Sequence, residues 1–514
     1  MAGAGRPWRS AGLAFLAGGV AGLGHVPFGL PLLALTGFAA LFWLAAGARG
    51  WRGAAARMWA GGTGCFAVTL FWIVEPFFVD AVRHGWMAPF AIVLLTGGLA
   101  LFWAGAGALG HALAVGPASR APTIAVALVL AGFGRTYLFT GFPWVLPGYV
   151  WSETPVAQLA SLGGVHGLSM LTLLAAALPV ALLRARDSWP RRFAALGLAT
   201  LPIVAAGVWG AARLSAPLDL TETRVRVVQP NAAQHLKWRP DMIPVFFSRA
   251  LELTATPADP PPDLIVWPET SVPDILSRAG PAFAAMRAAA GPDAVIVAGL
   301  QRREAARFYN SLAVLAPGTA DPWDHYDKHH LVPFGEYLPY AAFWARFGLD
   351  GLAANVDGGF RPGPGPQIVT LPGIGPALPL ICYEAVFPQD VFRAPARPAL
   401  LLHATNDAWF GDFAGPYQHL AQARLRAIEQ GLPMVRAANT GVSAIIGPRG
   451  RVLVGVPLGE AATADAPLPA ALPPTPYAIH RDSPVFALTL LLLGLAALAR
   501  LIGKKAVARP DIQG

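Results

Sequence analysis

Charge is scarce in this 514-residue chain: Asp, Glu, Lys and Arg make up 13% of it, against about 25% in ordinary soluble domains, while 55% of residues are hydrophobic. So little charge cannot cover the surface of a wholly water-facing protein of this length, so a membrane protein is the expectation. Cysteine is scarcer still, with Cys65 and Cys382 only, which excludes a disulfide framework. Acidic residues are fewer than basic ones, leaving a net charge of +9. The basic residues form no stripe interleaved with polar groups, as a phosphate-tracking surface requires, so no nucleic-acid partner is expected.

What is present is apolar sequence in long runs. About 20 helical residues cross a hydrocarbon core of about 30 Å, and runs of that order lie near 11–28, 30–47, 58–79, 89–112, 122–140, 157–183, 193–213 and 484–502. About eight transmembrane helices are therefore expected: seven within residues 1–215 and an eighth at 482–503, followed by a tail at 504–514. No small-residue cleavage site ends the first run, which reads as a retained helix. Arg6 and Arg9, Arg49, Arg52 and Arg57, Arg120, Arg184, Arg186, Arg191 and Arg192, and Lys504, Lys505 and Arg509 fall on one side of an alternating topology, with Arg83 on the other. The positive-inside rule makes that side cytoplasmic, with both termini and the tail. The segment between the seventh and eighth spans then lies on the far side, the periplasm of a bacterium.

Between 220 and 475 the pattern changes. Short β-branched runs, RVRVVQ, DLIVWPE, DAVIVAGL, ALPLICYE, ALLLHATN and MVRAANT, alternate with helical segments near 241–255, 279–290 and 415–430. Such alternation predicts a layered α/β domain with buried strands. The Ala/Pro-rich stretch 461–476 reads as a tether into the last span.

Three features of this domain carry chemistry: Glu269 in IVWPETSVPD, Lys328 in HYDKHHLVPFGEYLP and Cys382 in LPLICYEAVFPQD. A thiol with an ordinary pKa of about 8.5 needs a base or cation before it attacks well at neutral pH. Glu269 is the candidate base. Lys328 is the candidate donor to an oxyanion, a role commonly worth about 3 kcal/mol. Glu336, eight residues beyond, can orient the lysine, and Glu384 stands two residues past the cysteine.

WPE, the lysine of YDKHHLVPFGE, and CYE after an apolar strand resemble the Glu-Lys-Cys triad of the carbon-nitrogen hydrolase, or nitrilase, superfamily. The chain as a whole is similar to the apolipoprotein N-acyltransferase family, with further agreement in VVQPNAAQHLKW, FTGFPWVLPGYVW and the long NDAWFGDFAGPYQH segment. The resemblance implies a four-layer αββα sandwich carried on a multi-helix membrane bundle. It implies Glu269 as general base, Lys328 as oxyanion stabiliser and Cys382 as nucleophile, with Trp238, Glu336, Tyr383 and Glu384 supporting and the Tyr383 N–H as a further oxyanion donor. It also implies a monomer of the bacterial inner membrane that uses no cofactor. The acyl donor would be a phospholipid such as phosphatidylethanolamine, and the acceptor a diacylated apolipoprotein. Two other readings use the same residues: a tethered amidase acting on a small amide, and a transporter or binding protein with a degenerate domain.

Single residues have plainer readings. His325 and His329 stand at zinc-ligand spacing, with His330, His403 and His419 beyond. The LVPFG context lacks helical periodicity, so all five are read as loop polar groups or headgroup contacts, with no metal. Arg135, His166 and Glu75 sit in or beside apolar runs, the placement that would support a transporter. Near helix ends they are expected to snorkel to the interface.

Overall fold

The computed structural model describes residues 7–185, 189–340, 346 and 359–507; the end of the expected tail, 508–514, lies outside them, as do Arg6 and Arg186. The backbone forms two compact units, Met1–Ser215 with Ile479–Gly514, and Ala216–Ala478.

The first unit is helical, its long helices being Pro7–Gly22, Pro31–Ala46, Trp51–Thr69, Ala88–Leu113, Arg120–Tyr137, Ala160–Arg184, Trp189–Ser215 and Ser483–Val507. Among the described residues, three segments are long and apolar enough to cross a membrane: Ala81–Leu113, Pro155–Arg184 and Ser483–Gly503. A fourth is added if Trp51–Thr69 and Phe71–Phe78 count as one broken span. This is fewer than the eight expected. Pro31–Ala46 is apolar, but its 16 residues rise only about 24 Å. The single span expected at 58–79 is instead bent by 68°. Pro76 has no amide hydrogen to offer the Trp72 carbonyl, and the turn before it tightens into a 3₁₀ segment, Phe71–Val74.

Small residues let these helices approach closely. A Cβ on Gly18 would lie 1.8 Å from the Gly61 carbonyl oxygen, so no other residue fits there without moving a backbone. Arg135 and His166 do not snorkel; they are 2% and 0% exposed. Arg135 donates to the carbonyls of Phe142, at 3.1 Å, and Trp144, and its guanidinium lies over the Phe66 ring. An unpaired guanidinium is costly in an apolar interior, and carbonyls of the aromatic segment 139–151 offset that cost. The side chain that looked like an interfacial charge thus ties down the aromatic loop.

The second unit contains two six-stranded sheets. One has the order β12-β1-β2-β3-β4-β5 and the other β11-β10-β9-β8-β7-β6. The strands are β1 Leu220–Gln229, β2 Leu264–Val266, β3 Val295–Glu304, β4 Arg307–Leu315, β5 Pro322–Asp327, β6 Val369–Leu371, β7 Gly375–Ile381, β8 Leu400–Thr405, β9 Met434–Ala438, β10 Ser443–Ile446, β11 Val452–Val456 and β12 Ala462–Pro469. β1, β2 and β3 run parallel, as do β7, β8 and β9.

The period of two along each strand decides the layers. Val225, Val227, Leu264, Val266, Val295 and Val297 from one sheet meet Ala377, Ile381, Leu400, Leu402 and Val435 from the other in a shared core. The alternate residues Ile265, Trp267, Ile296 and Ala298 pack outward with Ala250, Phe283 and Met286 of helices Ile243–Thr254 and Gly280–Ala290. Leu378, Leu380 and Leu401 face Ala423 and Ala427 of helix Gly415–Gln430. The layer order is αββα.

The expected tether at 461–476 is in large part a strand. β12 pairs antiparallel with β1 from Leu220↔Pro469 to Gln229↔Ala462. Asp465 on β12 forms a two-point ion pair with the buried Arg226, at 2.8 and 2.6 Å. Proline content made this segment look like a linker, but Pro467 and Pro469 lie on a sheet edge, where a missing amide is tolerated.

Candidate active site

Glu269, Lys328 and Cys382 each follow a strand. β2 ends at Val266 and leads through Trp267 and Pro268 to Glu269; β5 ends at Asp327, one residue before Lys328; β7 ends at Ile381, one residue before Cys382. Side chains at the ends of parallel strands converge in a crevice, and this arrangement brings residues more than 100 positions apart together. Gly299 on β3 makes room for the first of them. A Cβ there would lie 2.4 Å from the Pro268 oxygen and 2.6 Å from Glu269 Cα.

Lys328 Nζ lies 2.9 Å from Glu336 Oε1 and 3.7 Å from Glu269 Oε1. Asn310 on β4 joins the same carboxylates, its amide nitrogen 2.7 Å from Glu269 Oε1 and 3.1 Å from Glu336 Oε1. The Asn406 amide donates to Glu269 Oε2 at 2.9 Å. Val332 N donates to Glu336 Oε2 at 2.7 Å, so the lysine's carboxylate partner is itself held by the loop that follows the lysine.

Cys382 adopts φ +50°, an uncommon conformation outside glycine that recurs where structure holds a functional side chain in place. Glu384 secures the turn. Its buried carboxylate accepts from Ile381 N at 2.7 Å, His329 N at 2.8 Å, His330 N at 3.2 Å and Tyr326 OH at 2.8 Å. One side chain therefore ties the cysteine turn to the lysine loop. Tyr383 packs edge-on against Phe387, with ring centroids 4.8 Å apart.

The electrostatics follow from burial and mutual charge. Burial pushes Glu269 above the ordinary carboxylate range and Glu336 adds to the effect; Lys328 and Asn310 oppose it without cancelling it. Burial also pushes up the Cys382 thiol, and the Glu269 charge pushes it further. Burial works against the charge on Lys328, but Glu336 and Glu269 outweigh it and hold the lysine above its ordinary value. The resting site is thus a neutral thiol, a basic carboxylate and a firmly protonated lysine. That combination can move a proton from sulfur to carboxylate when an acyl carbonyl arrives and can stabilise the resulting oxyanion.

Trp238 stands at the rim of a cleft whose lining includes Lys237, Phe246, Phe247, Thr270 and Pro273. It is 45% exposed, and Lys237 Nζ lies 5.5 Å from its ring centroid. Lys237 is buried, donates to the Glu269 carbonyl at 3.2 Å and is pushed down to about 8 by burial.

Comparison with known proteins matches residues 224–473 to the carbon-nitrogen hydrolase family and residues 17–178 to the apolipoprotein N-acyltransferase N-terminal domain. An apolipoprotein N-acyltransferase of Rhodopseudomonas palustris is 38% identical over 96% of this chain and 96% of its own. Another, from Caulobacter vibrioides, is 38% identical over 97% of this chain and 96% of its own. The chain belongs to the apolipoprotein N-acyltransferase family.

Within this member of the apolipoprotein N-acyltransferases, sequence reasoning missed a second group of polar residues behind the cysteine. His403 on β8 and His419 on helix Gly415–Gln430 are fully buried, not loop polar groups or headgroup contacts. Each has Nε2 3.1 Å from the Cys382 carbonyl oxygen. His419 Nδ1 lies 2.8 Å from Asp407 Oδ1, and the Arg436 guanidinium contacts both Asp407 and His403. Asn310 and Asn406 were also missed. A signal existed for two of them: His403 and Arg436 interrupt largely apolar strands, where a polar side chain requires partners. Of the other histidines, His329 and His330 are tied to Asp390, at 3.5 and 2.8 Å, and His325 lies on β5.

Proposed function

We propose that the chain transfers an acyl group from the sn-1 position of a phospholipid to the α-amine of the N-terminal diacylglyceryl-cysteine of an apolipoprotein, through a Cys382 thioester. The observation that carries this reading is the meeting of Glu269, Lys328 and Cys382 at strand ends of two sheets. Membership of the family supplies the substrate classes. Phosphatidylethanolamine is the proposed donor, and the enzyme acts as a monomer without a cofactor.

In the first half-reaction Glu269 takes the thiol proton as sulfur attacks the ester carbonyl. The oxyanion is stabilised by Lys328 and the Tyr383 N–H. Collapse of the tetrahedral intermediate breaks the ester C–O bond, and Glu269 returns the proton to the departing lysophospholipid oxygen. In the second half-reaction the acceptor amine attacks the thioester, Glu269 removes its proton, and the thiolate leaves beside Lys328 and is reprotonated. Glu336 holds the lysine, Glu384 holds the turn, and Trp238 lies along the substrate approach. Excluding water from the thioester favours aminolysis over hydrolysis.

The eight apolar runs, the flanking arginines and the apolipoprotein N-acyltransferase N-terminal match support a bundle of about eight transmembrane helices in the inner membrane. In this reading helices 1–7 lie within 1–215, the catalytic domain at 220–475 is periplasmic, the eighth helix is 482–503, and both termini, with the 504–514 tail, are cytoplasmic.

The test is intact-protein mass spectrometry of detergent-purified enzyme incubated with phosphatidylethanolamine, wild type against Cys382→Ala. One acyl chain gained by wild type alone, and discharged by a diacylated lipopeptide, is the expected result. Discharge by water at the same rate would make the protein a hydrolase; no adduct would overturn the thioester.

A further inference from the structure

The buried histidines behind the nucleophile have no part in the mechanism above, yet their geometry bears on it. The Arg436 guanidinium nitrogen lies 2.8 Å from His403 Nδ1. A guanidinium only donates, so Nδ1 is the accepting nitrogen and the imidazole proton sits on Nε2. That Nε2–H points at the Cys382 carbonyl oxygen, 3.1 Å away. Arg436 is in turn held by the Val442 carbonyl, at 3.0 Å, and by Asp407; both Arg436 and His403 are fully buried. His419 meets the same oxygen at 3.1 Å but also donates from Nδ1 to Asp407. It can donate to the carbonyl only when doubly protonated, so His403 carries the argument.

A trans peptide is planar, with its carbonyl oxygen and amide hydrogen on opposite sides. Holding the Cys382 oxygen therefore aims the Tyr383 N–H the other way. The hold matters because Cys382 sits at φ +50°, a conformation its local sequence does not favour.

We propose that His403, fixed in one tautomer by Arg436, is a positioning residue that orients the Tyr383 N–H toward the reacting carbonyl by anchoring the Cys382 carbonyl oxygen. This rests on the reading of Cys382 as the acyl-accepting nucleophile. The His403 ring works from behind the peptide, on the Cys382 carbonyl oxygen. The consequence is specific: losing His403 impairs steps that develop an oxyanion and spares those that do not.

The experiment compares two reactions of Cys382 in the full-length, detergent-purified protein, each adduct localised by mass spectrometry. Acylation by 4-nitrophenyl butyrate passes through an oxyanion; alkylation by iodoacetamide needs the sulfur alone. His403→Leu removes the donor. His403→Asn keeps a polar group but is too short to reach the carbonyl, and supplies the comparison if the leucine variant does not fold. His403→Gln places an amide N–H near the Nε2 position. Leu and Asn are expected to slow acylation about 100-fold, the scale of losing one oxyanion donor, with alkylation unchanged; Gln is expected to recover much of the acylation rate. Unchanged acylation in Leu and Asn, or equal loss in both reactions, overturns the proposal. Wild type that alkylates but does not acylate overturns the nucleophile reading itself, a separate failure seen before any variant is examined.

Discussion

The backbone amide of Asn406 donates to Glu269 Oε2 at 2.9 Å, so a carboxylate that follows β2 of one sheet is held by the chain that follows β8 of the other. The proposed base is thereby referenced to the sheet that carries Cys382 rather than only to its own. Two donors, the Asn406 amide and the Asn310 side chain, occupy the two carboxylate oxygens, which leaves no oxygen of Glu269 unassigned.

That pairing makes Glu269→Gln a severe change despite its shape. A glutamine offers one accepting oxygen and one NH₂ where two donors already point, so a donor faces a donor. Loss of the base is expected to lower acylation by about 10²–10⁴-fold, and the mismatch to lower stability by about 1–3 kcal/mol. Single-turnover acylation and thermal unfolding check the two effects separately.

Lys328→Met removes the cation that opposes the upward push on Glu269. Acylation is expected to fall by about 10²–10³-fold for want of the oxyanion donor. The pH profile adds a signature. Activity that requires ionised Glu269 is present above its pKa and lost as pH falls through it. Without Lys328 that pKa rises further, so the acidic limb of the residual activity moves to higher pH. An unmoved limb would show that the lysine does not act on the carboxylate.

Gly299→Ala tests the room made for Glu269. Its Cβ would stand 2.4 Å from the Pro268 oxygen and 2.5 Å from Thr270 N, both backbone atoms, so the segment must shift. Overpacking of this kind costs about 1–3 kcal/mol, and moving the base lowers the acylation rate in protein that still folds. Wild-type acylation in the folded variant would count against the fit.

His329 links stability to pH. Burial works against its charge, but Asp390 and Glu384 raise it from 6.5 to about 10. A folded-state pKa raised in this way contributes stability that is fully present below pH 6.5 and lost as pH rises toward about 10. Tyr326, which also faces Glu384, is pushed well above its ordinary value by burial and that charge, and so does not share this window. His329→Gln is expected to melt lower than wild type at acid pH and to lose less stability between neutral and alkaline pH. Parallel melting curves across that range would remove His329 as the cause.

Much of the domain was legible because strands buried on both faces announce themselves as apolar runs. DLIVWPE and ALLLHATN contain β2 and β8, and the helices expected near 241–255, 279–290 and 415–430 appear as Ile243–Thr254, Gly280–Ala290 and Gly415–Gln430. The edge strands were not legible. β12 carries two prolines and an aspartate whose partner, Arg226, lies 239 residues away, and nothing local marks such a pairing. In the helical unit hydropathy found the runs but not their breaks, since a sum of apolarity does not register the amide hydrogen that Pro76 lacks.

The proposed triad was legible in the sequence. A glutamate after a proline at a strand end, a lysine in a loop rich in glycine and proline, and a cysteine closing an apolar strand are local patterns, set by residue type and spacing. What only the tertiary structure decided is which of these groups are charged and where they are aimed. Glu269 is a raised carboxylate because the fold buries it, Lys328 is a firm cation because Glu336 folds back onto it, and the Cys382 carbonyl oxygen is met by His403, 21 residues further along the chain. Electrostatic and hydrogen-bond energies depend on distance through space and on exclusion of water, and neither is a property of position along the chain.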